Sequence, residues 1–479
     1  MILRCPRICT MRHALEDPDI FGSILAGPSW ASWRVILIAS QGEPLTDDER
    51  AIFTALTGRE FEPTEPVDEL WGIVGRRGGK TRAFAVLAAF YAALVDYSAV
   101  QAPGERIKIP LLASTTTQAA KAFSYIKGIF EAVPDLAAMV DGEPTAEVIR
   151  LRTGVDIEIR AANFRTIRGE TIGAVFCDEL AYWRIEGSAN PDTEILDAVR
   201  PGLATTGGPL CVLSSPYARK GELYRTHERD YGPNGSPAVL VMRAPSRTMN
   251  PDLDPKVVEA AYRRDAAAAS AEYGAEFRKD VEAFISLDAI KACMAADYIE
   301  RQPSKNVKYS AFVDPAGGGA DAMTLAIGHR DGDEVFLDCV REMNPGTSPD
   351  AVVAAFAGTL KTYGISSVTG DRFAGTWVSE RFQQHQIRYN VSERSKSAIY
   401  TEFLPLINSG RARLLPVPKL VDQLSSLERR TSRGTGRDII DHPQMKGAHD
   451  DVANAVAGVC VILSSKRSTV ELFIAMART

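Results

Sequence analysis

The chain has 479 residues, 45% of them hydrophobic and 24% charged, with a formal net charge of −6. That length exceeds one hydrophobic core and predicts two or three domains, while the ordinary composition excludes a disordered or low-complexity chain. No apolar run approaches the roughly 18 residues that span a bilayer, Met1–Thr10 lacks the apolar segment of a secretory signal, and the seven scattered cysteines form no C-x-x-C or Cys/His zinc spacing, so a cytoplasmic protein without a membrane segment is expected.

Residues 1–45 give no periodic pattern and read as an N-terminal extension. Thr46-Asp47-Asp48-Glu49 then opens a helix, with Thr46 as N-cap and Glu49 at the capping-box position ahead of Ile52, Phe53 and Leu56. Gly58 ends it. The stretch Leu70-Trp71-Gly72-Ile73-Val74-Gly75-Arg76-Arg77-Gly78-Gly79-Lys80-Thr81 follows, a buried-strand pattern running into a glycine-rich turn and then an alanine-rich helix to about Leu94. A loop that wraps a polyphosphate needs glycines so that its amides turn inward, a lysine for the phosphates and a hydroxyl for Mg²⁺. Gly75, Arg76, Arg77, Gly78, Gly79, Lys80 and Thr81 are therefore the candidate nucleotide-binding residues. The first glycine of G-x-x-x-x-G-K-[ST] would fall on Val74, so the motif departs from the common pattern there.

Strand and helix alternate beyond this point, with a strand at Ile107–Ala113, a helix from about Gln118 to Glu131 and β-like runs at Val148–Arg152 and Val155–Arg160. This predicts a mainly parallel sheet with helices on its faces. The apolar run from Gly173 ends in Asp178 and Glu179; in a nucleotide hydrolase the first serves Mg²⁺ and the second activates the attacking water. Leu210–Leu213 ends in Ser214, Ser215 and Pro216, at the strand edge where α/β sheets take ligands.

After a loop rich in proline from Pro245 to Pro255, Lys256 to about Lys279 reads as one helical stretch, and residues 246–300 as a linking region. A second pattern begins with strands at Lys308–Val313, Met323–Gly328 and Glu334–Val340, a meander, and a short strand at Ile365–Thr369. Asp314 and Asp371 close two of these strands, and His449-Asp450-Asp451 opens a helix. Acidic residues at two strand ends and a helix start, Asp314, Asp371, Asp450 and Asp451, can converge on one spot. Between Arg411 and Arg437 there are seven basic residues against two acidic ones. Arg429, Arg430, Arg433 and Arg437 are accordingly candidate DNA contacts, a basic run that the net charge of the whole chain conceals.

Gly-Arg-Arg-Gly-Gly-Lys-Thr, the Arg-Gly-Glu ahead of Val-Phe-Cys-Asp-Glu-Leu, and Leu-Ser-Ser-Pro together resemble the ATPase motifs of the large terminase subunit of tailed bacteriophages and prophages. That family's phosphate loop commonly lacks the regular first glycine and has an arginine at the place of Arg76. The resemblance covers about Leu70 to Ile462. It implies an α/β protein with a P-loop NTPase domain at 46–245 and a ribonuclease-H-like nuclease domain at 301–465, followed by a tail at 466–479. It implies ATP and Mg²⁺, with Mg²⁺ or Mn²⁺ in the nuclease site, where two-ion phosphodiester cleavage needs several carboxylates from separated segments and Asp314, Asp371 and one or both of Asp450 and Asp451 would be the metal ligands. Arg76, or else Arg165 or Arg168, would stabilise transition-state charge, and Ser214, Ser215 and Pro216 match the motif thought to couple hydrolysis to movement on DNA. Double-stranded DNA, a small terminase subunit, a portal ring and further copies of the chain are the implied partners. A cellular helicase-nuclease of DNA repair and an inactive ATP- and DNA-binding prophage remnant remain the alternatives.

Overall fold

The computed structural model describes residues 4–162, 169–183, 191–278, 281–295, 299–315, 322–343, 347–371, 375–431, 438–443 and 448–465. The chain divides near residue 280 into two compact units, each with its own sheet and core. The boundary thus falls inside the 246–300 stretch.

The first unit is built on seven strands among the described residues: β1 (Glu69–Val74), β2 (Ile107–Ala113), β3 (Val148–Arg150), β4 (Val155–Ala161), β5 (Val175–Asp178), β6 (Leu210–Ser214) and β7 (Val239–Ala244). Their order across the sheet is β3-β4-β2-β5-β6-β1-β7, parallel throughout except for β3. Strand β1 explains the architecture in miniature. Leu70 and Val74 enter one core and Trp71 and Ile73 the other, all buried, as expected of a parallel strand covered on both faces. The helix Lys80–Ala93 is buried around almost its whole circumference, so it is an internal helix rather than an amphipathic surface one.

The capping box at Thr46 and Glu49 forms as its sequence predicts, and Gly58 ends that helix in the left-handed conformation. The unpatterned N-terminal stretch is also structured: helices Met11–Glu16 and Ala31–Ser40 contribute Met11, Trp33, Ile36 and Leu37 to the same core as β1. The expected single helix over 256–279 is two, Pro255–Arg264 and Ala266–Glu272. Asp265 breaks it. Its extended backbone and its carboxylate, which accepts from the Ala267 and Ala268 amides, cap the second helix and end the first.

The second unit contains β8 (Val281–Ala283), β9 (Tyr309–Asp314), β10 (Met323–Asp331), β11 (Glu334–Met343), β12 (Ser367–Gly370), β13 (Arg388–Val391), β14 (Ala412–Arg413), β15 (Glu428–Thr431) and β16 (Asp438–Asp441). Strands β9, β10 and β11 form the antiparallel meander, and β12 adds to β9 in parallel, giving the order β13-β12-β9-β10-β11-β14. A meander extended by two parallel strands on its first strand is the ribonuclease-H-like arrangement. Strands β16, β15 and β8 form a separate small sheet. The helix Asp451–Ser465 lies across β9, β10 and β11. It approaches so closely that a Cβ on Gly458 would sit 2.5 Å from the Phe312 ring.

Gly458→Val therefore overpacks this contact and is expected to cost about 1–3 kcal/mol. Hydrogen exchange of the β9 and β10 amides should accelerate while that of β1 and β6 stays unchanged. Parent-like protection of β9 would show that the helix does not press on this strand.

Candidate functional sites

In the first unit, parallel pairing puts the carboxyl ends of β5, β6 and β1 side by side, in that order. Each end carries one of the motifs. The loop after β1 turns through Arg77 at φ 66° and Gly79 at φ 84°, the second a conformation that glycine adopts without penalty. Gly75 is required by crowding, because a Cβ there would lie 2.3 Å from Ser246 Oγ and 2.7 Å from the Tyr273 carbonyl. Lys80 begins the helix with only 7% exposure. Its ammonium donates to the Val74 carbonyl at 2.9 Å and to Ser215 Oγ at 2.6 Å, and it lies 3.2 Å from Glu179 Oε1. Thr81, the next residue, is half-buried.

Glu179 leaves β5 in the left-handed region, at φ 52°, uncommon for a residue with a side chain. The Ser215 amide donates to its Oε2 at 2.9 Å, so Lys80 and Ser215 approach its two oxygens. Ser214 Oγ receives the Ala181 amide at 3.2 Å, and the Tyr182 hydroxyl makes a long 3.5 Å contact with the Pro216 carbonyl. Burial, and then the Glu179 charge, raise the Asp178 carboxyl to about 7. Two adjacent carboxyls in one partly dry corner favour a proton or a cation beside them. Arg76 is half-exposed, with Nη1 3.2 Å from Glu272 Oε1; Arg165 and Arg168 lie outside the described residues.

Four residues that touch this loop have no motif of their own. Trp33, Ser246 and Asn250 donate to its carbonyls, and the Glu272 carbonyl accepts from the Arg76 amide at 2.5 Å. Their sequence neighbourhoods carry no signal that could have found them.

In the second unit, Asp314 closes β9 and Asp371 follows β12. These strands are parallel neighbours, so both aspartates reach one edge. Asn454, 1% exposed, bridges them: its Nδ2 donates to Asp314 Oδ2 at 2.8 Å and to Asp371 Oδ2 at 3.4 Å. Burial holds the Asp314 carboxyl well above the usual carboxylate range; the Asn454 hydrogen bond opposes this, and the charges of Asp451, Asp450 and Asp371 add to it. The other three aspartates named from sequence thus lie near enough to Asp314 for their charges to act on it. Such a donor set, oxygen-rich and dominated by carboxylates, suits a hard divalent cation.

Asp450 and Asp451 differ. Asp450 is 3% exposed and has both oxygens engaged, Oδ1 by Lys396 Nζ at 2.9 Å and Oδ2 by the Tyr400 hydroxyl at 2.8 Å. Lys396 also binds Asp441 Oδ1 at 2.7 Å. Burial alone would lower the Lys396 pKa, but the carboxylates outweigh it and raise it. Asp451 occupies the first helical position, half-buried, and is the largest of the carboxylate influences on Asp314. Lys396, Tyr400 and Asn454 were not anticipated. Asn454 had a usable signal, since it stands four residues after Asp450 and three after Asp451 on one helical face.

Several side chains of the basic run have partners inside the protein. Arg413 pairs with Glu334 at 2.6 Å and Lys419 with Glu342, acids that lie about 80 residues earlier and so were missed in the local count. Arg429 covers the Phe284 ring, 5.4 Å from its centroid, with Nε 3.5 Å from Asp438. Arg430 is turned inward: it donates to Glu428 Oε2 at 2.9 Å and to the His442 carbonyl at 3.1 Å, and Glu428 is fully buried. Both of these bonds are made by Nη2 of the guanidinium. Arg433 and Arg437 lie outside the described residues.

No protein-family model matches the chain, and no curated protein does. Among solved structures it is similar to the large terminase of HK97 bacteriophage, at 17% identity and TM-score 0.37, over 90% of this chain and 99% of that one. It is similar to the large terminase of a thermophilic bacteriophage at 11% identity and TM-score 0.38, over 91% and 100%. The large terminase nuclease of the thermophilic phage G20c aligns at 20% identity and TM-score 0.29, over 33% of this chain and 84% of that one.

Removing Arg430 breaks its pair with the fully buried Glu428, and losing one partner of a buried pair costs about 3–5 kcal/mol. Arg430→Ala should therefore lower the unfolding midpoint strongly. Arg429→Ala, at a more exposed position, should change it little. Equal and small effects in thermal unfolding would overturn the inward reading of Arg430.

Proposed function

We propose that the chain is the large subunit of a DNA-packaging terminase, an ATPase and metal-dependent DNA endonuclease in one polypeptide. The observation that supports this best is the pairing, on one chain, of two sites of different chemistry. One is a lysine and glutamate 3.2 Å apart beside a glycine-rich phosphate loop, and the other is a group of aspartates bridged by Asn454. The double-ATPase architecture of a helicase-nuclease is not supported, because the second described unit is built on a meander rather than on a parallel nucleotide-binding sheet.

In the first site, the amides of Arg77 and Gly79 in the loop and of Lys80 and Thr81 at the start of the buried helix have no backbone acceptor among the described residues, which suits ATP phosphates. Lys80 would exchange its contacts with Val74 and Ser215 for phosphate oxygens. Glu179, freed from that ammonium, would orient the attacking water through the carboxylate that Ser215 steadies, linking hydrolysis to the β6 end. Thr81 and Asp178 fit the Mg²⁺ that accompanies ATP, and Asp314, Asp371 and Asp451 fit the ions of the nuclease site. Bound there, the ions would supply Lewis-acid stabilisation of the phosphodiester oxygens. Asp450 would act behind them, fixed by Lys396 and Tyr400 to hold the start of the helix. Asn454 would keep Asp314 and Asp371 turned toward each other. Double-stranded DNA, a small terminase subunit, a portal ring and a ring of identical copies are the partners this reading calls for.

Two experiments test the two halves separately. Glu179→Gln should lower ATP turnover by at least about 100-fold, the low end of the loss of a positioned base, and Lys80→Ala should abolish it, while Mn²⁺-dependent plasmid cleavage persists in both. Near-parental phosphate release by Glu179→Gln would refute the ATPase assignment. In the nuclease site, Asp371→Asn and Asp451→Asn should remove cleavage and leave ATP turnover intact. Asp450→Asn should lose only about 10–100-fold, as for a residue behind the ligands. Plasmid cleavage in which Asp450→Asn falls further than Asp451→Asn would reverse the roles given to this pair.

A further inference from the structure

Three consecutive carbonyls of the phosphate loop are each taken by a side-chain donor from outside it. Ser246 Oγ donates to the Arg76 carbonyl at 2.6 Å, Asn250 Nδ2 to that of Arg77 at 2.8 Å, and Trp33 Nε1 to that of Gly78 at 2.7 Å. The donors come from two segments more than 200 residues apart in sequence. Trp33 is 1% exposed and Ser246 fully buried, so two of these bonds are shielded from competing water.

A peptide unit is planar and trans, so its carbonyl and its amide point in opposite directions. Fixing the carbonyl of residue n outward thus fixes the amide of residue n+1 inward. The three bonds orient the amides of Arg77, Gly78 and Gly79. Gly78 turns its amide to the Gly75 carbonyl at 3.2 Å and closes the loop, whereas the earlier amides of Gly75 and Arg76 are engaged by Ala244 and Glu272. Arg77 and Gly79 are left to join Lys80 and Thr81 facing the anion. Those two residues are also the ones in left-handed conformations, which Arg77 adopts only at some cost. External donors hold that conformation in place.

The geometry points to Trp33, Ser246 and Asn250 as a set of positioning residues that pre-form the phosphate cradle by holding its carbonyls outward. The inference rests on the nucleotide-site reading above and deepens it. Because the cradle meets the β-phosphate before, during and after hydrolysis, loosening it weakens binding of ATP and ADP alike. A contact equally strong in ground and transition states changes KM and leaves kcat in place.

Trp33→Phe keeps the ring and removes the N–H, while Ser246→Ala and Asn250→Ala remove the other two donors. Each should weaken ADP binding about 5-fold, the size of one ordinary hydrogen bond, and raise the KM for ATP similarly with kcat nearly constant. Ser32→Ala is the control, since Ser32 Oγ bonds the Thr248 carbonyl at 3.3 Å in the same region without touching the loop; it should bind ADP as the parent does. The nucleotide-free unfolding midpoint is measured for every variant, and the ADP-induced rise in that midpoint should shrink only for the three. Asn250 is half-exposed, so its variant folds even if a buried one does not. Parent-like ADP binding by Asn250→Ala and Ser246→Ala, or a fall in kcat at constant KM, would overturn the inference. A parent protein that binds neither ADP nor ATP would instead overturn the nucleotide-site reading on which it stands.

Discussion

Parallel pairing of β5, β6 and β1 is the constraint on which the first unit depends. It brings three chain segments to one sheet edge with their carboxyl ends together, so Ser215 at the middle strand stands between Lys80 and Glu179. The lysine touches both neighbours and the β1 terminus at once. A mostly buried ammonium needs such partners, because the cost of leaving it unpaired exceeds that of any single contact.

The second unit uses the same geometric device with the opposite charge. Parallel pairing of β9 and β12 sets Asp314 and Asp371 at one edge, and the helix from Asp451 brings Asn454 and a third carboxylate to them. Repulsion within this group is relieved only in part by Asn454. Asp450, one residue away, has its two oxygens bound by Lys396 and Tyr400. Adjacent aspartates with identical side chains thereby come to lie in different surroundings, Asp450 buried against Lys396 and Tyr400 and Asp451 half-buried at the start of the helix.

Much of this was legible in the sequence. The capping box at Thr46, the strands ending at Val74, Asp178 and Asp314, and the helix opening at Asp451 depend on local patterns of apolar period, cap and turn. Each formed within a few residues of its expected bounds. The helical stretch after Lys256 failed because Asp265 competes for backbone amides, a local signal that its alanine-rich surroundings masked.

What the sequence by itself determined is the set of chemical groups at the ends of strands and the starts of helices, because a few neighbouring residues suffice to specify those places. Tertiary structure alone decided which groups meet. Arg413 and Lys419 of the basic run pair with Glu334 and Glu342, the loop after β1 is held by Trp33, Ser246 and Asn250, and Asp450 and Asp451 meet different neighbours. Most of these partners lie tens to hundreds of residues away, and Asp450 and Asp451 are distinguished by what surrounds each of them. Hydrogen bonds and ion pairs act over about 3 Å, so their partners are chosen by the packing of whole elements and leave no mark in the local sequence.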